Sequence, residues 1–208
     1  MQPDETIFSI NETLKTIKER RSIRAFAKDE ISDQQIRTLL QAANEAPSAH
    51  NQQSWRFIVL KGQKKLKLAE LVAEGAFRFS RPAQALLRMS ARSIASAPVV
   101  IAVANSGDLI DHGTELFKVE KEMAHDFFRT MEIQSSAAAV QNMLLAATSL
   151  GLATVWLGIM FLMKDEVLEF LGEPEGEFMA VIPVGYASRE SGSGPQKEPF
   201  EMKVKYLD

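Results

Sequence analysis

Three arginines and a serine fall within five residues, Arg20-Arg21-Ser22-Ile23-Arg24, between two segments with helical patterns. A guanidinium stays charged at physiological pH, and its planar fork matches two phosphate oxygens at once. If the chain is extended from Ser22, the side chains of Arg20, Ser22 and Arg24 share one side. This segment could therefore bind the phosphate of a ligand and a second anionic group beyond it. The alternative is a solvated basic helix end that complements the helix dipole.

A second candidate is the polar loop that begins at Pro47 and ends before Trp55. Pro47 disfavours helical geometry in the residue before it, so the preceding helix should end there. The loop is dense in hydroxyl and amide side chains, and Ser48 is one of them. Asn51, Gln52 and Gln53 each offer both donors and acceptors, as the edge of an uncharged heterocycle requires. The alternative is an ordinary loop that binds its own backbone.

Composition excludes several classes of function. The chain has 208 residues, 46% of them hydrophobic and 25% charged, which predicts a globular protein of one domain or a tight pair of domains. Its net charge of -3 argues against nucleic acid as a partner. Without cysteine there is no disulfide, no Cys-based zinc site and no cysteine nucleophile. No signal peptide and no apolar run of about 18 residues is present, so we expect a cytoplasmic protein without membrane contact.

Helices and strands should position these two candidate segments. The continuous apolar run from Pro98 to Ala104 predicts a central strand that is buried on both faces. The patterns S-x-x-E from Ser9 and S-x-x-Q from Ser32 predict capped helix starts. The other expected elements are helices ending near Arg20, Ala46 and Gly75, helices 134–150 and 164–171, strands 55–60 and 178–186, an extended piece at 154–159, and a break at Pro82.

The region from Asn105 to Glu132 is the least regular and carries Phe117, Phe127 and Phe128. We expect at most a short helix from Glu115 to Arg129. One interpretation is a mobile aromatic segment over a pocket, and the other is a helix that packs its phenylalanine face on the core. The tail 187–208 has no core pattern except at Val204 and Tyr206.

Five short blocks of sequence, taken in order, match the pattern of a known protein family, although none of the blocks is specific by itself. The chain lacks the Gly-x-Gly-x-x-Gly and Walker loops that commonly bind nucleotides. The order of the blocks resembles the FMN-dependent nitroreductase family over nearly the whole chain. The blocks are RRSIR at 20–24, A-P-S-x-x-N-x-Q-x-W at 46–55, G-L-x-T-x-W-L-G at 151–158, I-P-V-G-Y at 182–186 and K-x-P at 197–199.

The resemblance implies an α+β fold in which a central, mainly antiparallel sheet is flanked by helices in a sandwich-like arrangement. It implies a single domain over residues 1–208 and an intertwined homodimer with FMN at the interface. Residues 105–132 would cover the substrate side, and 187–208 would form a C-terminal tail.

The resemblance also assigns the candidate site residues. Arg20, Arg21 and Ser22 match the contacts to the FMN phosphate and ribityl chain, and Arg24 matches a cation near the flavin pyrimidine edge. The partner subunit would contribute four residues to the same flavin, which are Pro47, Ser48, Asn51 and Gln53.

Three further positions follow from the same comparison with the family. Leu157 and Gly158 match the backbone over the central ring, near N5. Lys197 stands where the family often has an arginine toward the phosphate, and it keeps the charge but loses the bidentate fork. Arg92 would supply a second cation near the flavin.

The activity implied by the resemblance is that of an FMN-dependent NAD(P)H oxidoreductase. NADH or NADPH would reduce the flavin at N5, and nitroaromatics, quinones or flavins would be reduced in turn by ping-pong hydride transfer. Because the chemistry takes place on the flavin, no catalytic side chain and no metal is expected. The alternatives are other flavin chemistry, such as reductive dehalogenation or flavin breakdown, and a non-enzymatic flavin-binding module.

Overall fold

The computed structural model describes residues 11–118, 120–189, 192, 194–195 and 197–207. Within these residues there are seven α-helices and four β-strands. The helices are α1 (Glu12–Glu19), α2 (Asp33–Asn44), α3 (Gly62–Gly75), α4 (Arg81–Ser96), α5 (Asp108–Phe117), α6 (Lys121–Ser149) and α7 (Lys164–Leu171), and the strands are β1 (Trp55–Lys61), β2 (Val99–Asn105), β3 (Ala153–Thr154) and β4 (Glu177–Gly185).

The four strands form one antiparallel sheet in the order β1-β2-β4-β3. At one end of the sheet, Trp55 of β1 pairs with Asn105 of β2. At the other end, Val99 of β2 pairs with Val184 of β4. Val184 in turn pairs with Thr154 of β3, so the short strand β3 lies at this second end.

Helices cover both faces of the sheet, which confirms the central strand expected from the apolar run. Every residue of β2 is buried. Alternate residues of β2 enter two separate hydrophobic clusters because successive side chains point to opposite faces. Leu68 of α3 and Leu87 of α4 lie in one cluster, and Leu39 of α2 and Val140 of α6 lie in the other.

Local capping signals account for several helix ends. The capping box at Ser32 is confirmed, since its hydroxyl accepts from the backbone of Gln35 and the Gln35 side chain returns the bond. The N-cap of α1 is Asn11, whose side chain accepts from the backbone of Leu14. The expected cap at Ser9 lies outside the described residues.

The region from Asn105 to Glu132 differs from the expectation. The single helix predicted from Glu115 to Arg129 is wrong, because two helices, α5 and α6, meet near Lys118, whose φ is 49°. Phe128 is buried between them, while Phe117 and Phe127 are about half-exposed. A Cβ built on Gly113 of α5 would lie 2.4 Å from the Phe128 ring, so this close packing requires glycine.

Other differences concern turns and the tail. Pro82 lies in the first turn of α4, where the missing N–H costs nothing, so it begins a helix instead of breaking one. The extended piece predicted at 154–159 is mostly irregular and continues into a 3-10 helix at Gly158–Met163. Val204 and Tyr206 are exposed and belong to no core cluster of the described residues.

None of the helices seen in the described residues is long and apolar enough to cross a membrane.

Candidate functional site

The arginine-rich segment lies along the edge of the sheet. Ser22 forms a parallel bridge with Thr154, and the backbone N–H of Ile23 donates to the Thr154 carbonyl at 2.9 Å. Farther along, the N–H of Ala27 donates to the carbonyl of Tyr186 at 2.9 Å. The chain is therefore extended from Ser22, as the sequence predicted, and it runs beside Thr154 and then beside Tyr186 and Ala187 of the same chain.

Helix α4 contacts the backbone of the arginine segment through a buried serine. The hydroxyl of Ser93, which is fully buried, lies 3.0 Å from the carbonyl oxygen of Arg24. The Arg24 side chain is exposed. Arg92 is also exposed and lines a groove between α3 and α4 together with Arg88 and Glu70. Ser93 was not predicted, because a serine on a helical face among alanines carries no periodic signal.

Leu157 and Gly158, which follow Thr154 along the chain, differ in burial. Leu157 is buried, and its N–H donates to the carbonyl of Val181 at 3.0 Å, which fixes its backbone against β4. Gly158 is exposed. A Cβ built on Gly158 would meet only the Trp156 ring within 4 Å, at 3.7 Å. The backbone at Gly158 is thus open to a flat ligand.

Arg20 and Arg21 lie at the end of α1. Both are partly buried. The guanidinium of Arg21 donates through Nη1 to the carbonyl of Arg20 at 2.9 Å. A Cβ built on Gly194, which has φ +73°, would lie 2.8 Å from Arg21 Nε, so the tail passes directly beside Arg21 at Gly194. Lys197 follows three residues later in that tail and is exposed.

The polar loop has a strained backbone that its sequence did not reveal. His50, Asn51 and Gln53 have φ values of 52°, 54° and 50°. Left-handed geometry at residues other than glycine costs roughly 1–2 kcal/mol each, and it concentrates at functional sites. The backbone N–H of Gln53 donates to the hydroxyl of Ser48 at 3.1 Å, and the Gln53 amide donates to Asn51 Oδ1 at 2.9 Å. Pro47 is exposed at the start of the loop.

The same loop is attached to the α5–α6 region. The N–H of Ala49 donates to the hydroxyl of Ser135 on α6 at 3.1 Å. The ring of His50 lies 5.9 Å from the ring of Phe117 on α5, in an edge-to-face arrangement. The polar loop therefore lies in contact with both α5 and α6. Ser135 was not predicted because its partner is 86 residues away in sequence.

One chain does not bring all the predicted residues together. Ser22 lies beside Thr154, at the end of the sheet where β2 begins. The polar loop leads into Trp55, at the end where β2 finishes. Since β2 has seven residues, the two groups are separated by roughly 20 Å along the sheet.

Comparisons with known proteins point to one family. The profile of the nitroreductase family matches residues 17–186. A protein of Archaeoglobus fulgidus, named provisionally as an NADH dehydrogenase/NAD(P)H nitroreductase, is 32% identical over 187 residues, which are 87% of this chain and 88% of the relative. The FMN reductase (NAD(P)H) of Bacillus subtilis is 25% identical over 214 residues, covering 96% of this chain and 76% of that protein.

A solved structure shares both fold and sequence. The nitroreductase of Desulfitobacterium hafniense, determined with bound FMN, has a TM-score of 0.71 and 26% identity. The structural alignment covers 96% of this chain and 100% of the Desulfitobacterium hafniense chain. The order of helices and strands described above is therefore the order found over a whole relative.

Proposed function

Because the chain belongs to the nitroreductase family, it is an FMN-dependent NAD(P)H oxidoreductase, and we propose that it reduces small electron-poor acceptors in a ping-pong sequence. The acceptors would be nitroaromatics, quinones or free flavins. The observation that carries this proposal is the position of the arginine segment, which is extended beside Thr154, four residues before the exposed backbone at Gly158.

The residues of this edge fit FMN by their chemistry. A phosphorylated, flat and partly anionic ligand needs cations for the phosphate, donors for the ribityl chain and an unobstructed surface for the ring. Arg20, Arg21 and Ser22 supply the first two, and the space above Gly158 supplies the third. Lys197 would add a charge near the phosphate, because it lies three residues after Gly194, which is beside Arg21.

When bound, FMN supplies the redox chemistry, because its ring takes up two electrons from NADH or NADPH and passes them to an acceptor. The residues of this chain bind and orient it. Arg24 would stabilise the negative charge that develops at the pyrimidine edge, and a fixed cation is effective there because it needs little reorganisation. The hydroxyl of Ser93 holds the backbone of Arg24, which would restrict the positions that the guanidinium can reach.

We further propose that the functional unit is a homodimer. The polar loop carrying Ser48, Asn51 and Gln53 is at the far end of the sheet from Ser22, so it would reach the flavin bound by a second copy. The tail supports this proposal. Phe200, Met202 and Tyr206 are 62%, 75% and 80% exposed in the single chain, and such a cluster of exposed apolar side chains is typical of an interface.

Helices α5 and α6 would form the acceptor side of this shared site, because they contact the polar loop through His50 and Ser135. Phe117 and Phe127 expose about half of their rings there. A flat aromatic acceptor could stack on such rings.

The visible spectrum of the purified protein tests the proposal. We expect flavin absorption bands that bleach when NADPH is added without oxygen and return when a quinone, a nitroarene or free FMN is supplied. The most effective of the three acceptors would identify the substrate class. Yellow protein that NADPH and NADH both fail to bleach would indicate a binding module, and colourless protein that takes up no FMN would overturn the proposal.

A further inference from the structure

The carboxyl group of Glu132 is buried in α6 and has no part in the function proposed above. The side chain is 1% exposed. Its Oε1 accepts a hydrogen bond from the backbone N–H of Leu109 at 2.8 Å, and its Oε2 has no hydrogen-bond partner among the described residues. Burying a carboxyl costs free energy unless hydrogen bonds or a charge partner compensate for the lost water.

The bond from Leu109 replaces a missing helix cap. Leu109 lies in the first turn of α5, where backbone N–H groups have no partner within the helix. The N-cap residue is Gly107, which has no side chain to accept from them. Glu132 therefore caps α5 from a different helix, 23 residues away in sequence.

Glu132 also adjoins the polar loop. Ser54, the buried last residue of the loop, accepts through its carbonyl from the N–H of Ser106 at 2.9 Å, just before α5 begins. Three residues after Glu132 on α6, the hydroxyl of Ser135 accepts from the N–H of Ala49 in the same loop at 3.1 Å. One turn beyond Glu132 on α6, the hydroxyl of Ser136 donates to Oδ1 of the buried Asn105 at the end of β2. The carboxyl thus lies where α5, α6 and the end of the polar loop meet.

We propose that Glu132 is the positioning residue that holds α5 and the polar loop together on the acceptor side of the site. This inference rests on the proposed function, since it assigns α5 to the wall that an acceptor contacts. Removing the carboxyl leaves the Leu109 N–H buried and unpaired at the start of α5. Helix α5 then loosens, and Phe117, near its end, no longer keeps its place beside His50.

Hydrogen exchange in the full-length protein tests the structural half of this inference. In Glu132→Ala, the amides of α5 should exchange roughly tenfold faster or more, while those of α3 and α4 stay within about twofold of the wild type. Glu132→Gln keeps an oxygen that accepts from Leu109, so it should restore most of the protection. Glu122→Ala removes an exposed acid from the same helix and serves as the matched control.

Steady-state kinetics with a nitroarene or quinone test the functional half. We expect Glu132→Ala to raise the KM for the acceptor about fivefold or more, because a mobile α5 binds it less well. The kcat per bound flavin should change less than about twofold, and Glu132→Gln should return KM toward the wild-type value. A purely structural role would lower stability throughout and leave the KM for the acceptor unchanged.

Unchanged exchange in α5, or equal acceleration in every helix, would overturn the inference. An unchanged KM alongside loosened α5 would overturn its functional half. These results differ from a failure of the proposed function, in which the wild type itself binds no flavin or oxidises no NAD(P)H. In that case the acceptor-side role fails as well, while hydrogen exchange, which needs no flavin, still decides whether Glu132 holds α5.

Discussion

The hydroxyl of Ser93 lies 3.0 Å from the carbonyl oxygen of Arg24, and this contact joins helix α4 to the arginine segment. The same hydroxyl lies 3.1 Å from the carbonyl of Met89, one turn earlier in α4. Because Ser93 is fully buried while the Arg24 side chain is exposed, the helix fixes the backbone and leaves the guanidinium available to a ligand.

Replacing Ser93 with alanine should weaken both stability and flavin binding. The Arg24 carbonyl loses its side-chain partner, which costs about 1–3 kcal/mol and lowers Tm by several degrees, since 1 kcal/mol shifts Tm by roughly 2–4 °C in a chain of this size. Thermal unfolding and FMN titration measure the two effects. Ser96→Ala, near the exposed end of α4, is the control. Unaltered FMN affinity in Ser93→Ala would show that the contact does not position Arg24.

Replacing both Arg20 and Arg24 with alanine should abolish flavin retention without unfolding the protein. Two charge-assisted contacts, each contributing about 1.5–3 kcal/mol, imply a loss of affinity of about hundredfold or more. Flavin content after gel filtration gives the result, and circular dichroism shows whether the fold is intact. Arg37→Ala, on the exposed side of α2, should keep its flavin. Normal flavin occupancy in the double variant would contradict the site assignment.

The proposed dimer depends on apolar side chains of the tail. Changing Phe200, Met202 and Tyr206 to serine should shift the protein toward the monomer, because the apolar area they would bury contributes about 25 cal/mol per Å². Analytical ultracentrifugation over a range of concentrations measures this shift. A variant with Lys203 and Lys205 changed to serine alters the same segment without removing apolar area. If both variants sediment like the wild type, the tail does not form the interface.

Glu132 should make stability depend on pH. Burial raises the pKa of this carboxyl above its ordinary value of 4.5, and the nearby charge of Asp108 acts in the same direction. Between the ordinary and the raised pKa, the folded protein keeps a proton that the unfolded chain has released. The resulting stabilisation is fully present below the ordinary value and is lost as pH rises through the folded pKa.

Urea unfolding of the wild type and Glu132→Gln, from about pH 4 to about pH 8, measures this dependence. The glutamine side chain does not titrate, so the free energy of unfolding of the wild type should fall relative to that of the variant as pH increases. Glu122→Gln, with an exposed side chain, should follow the wild type. A constant difference between wild type and Glu132→Gln would show that the carboxyl does not titrate in this range.

The sequence by itself determined the features that depend on neighbouring residues. The capping box at Ser32, the buried strand β2 and the end of α7 at Gly172 all follow from local spacing and backbone preference. The order of the five blocks, beginning with Arg20, was also sufficient to indicate the family, which the match over residues 17–186 confirms.

The tertiary structure alone decided how distant residues meet. Nothing in the loop sequence required positive φ at His50, and no periodicity connects Glu132 with Leu109 or Ser93 with Arg24. The end of the sheet at which Ser22 lies depends on strand pairing. These features could not be predicted because each follows from packing between segments far apart in the chain, and a local pattern of residue types does not record which segments pack together.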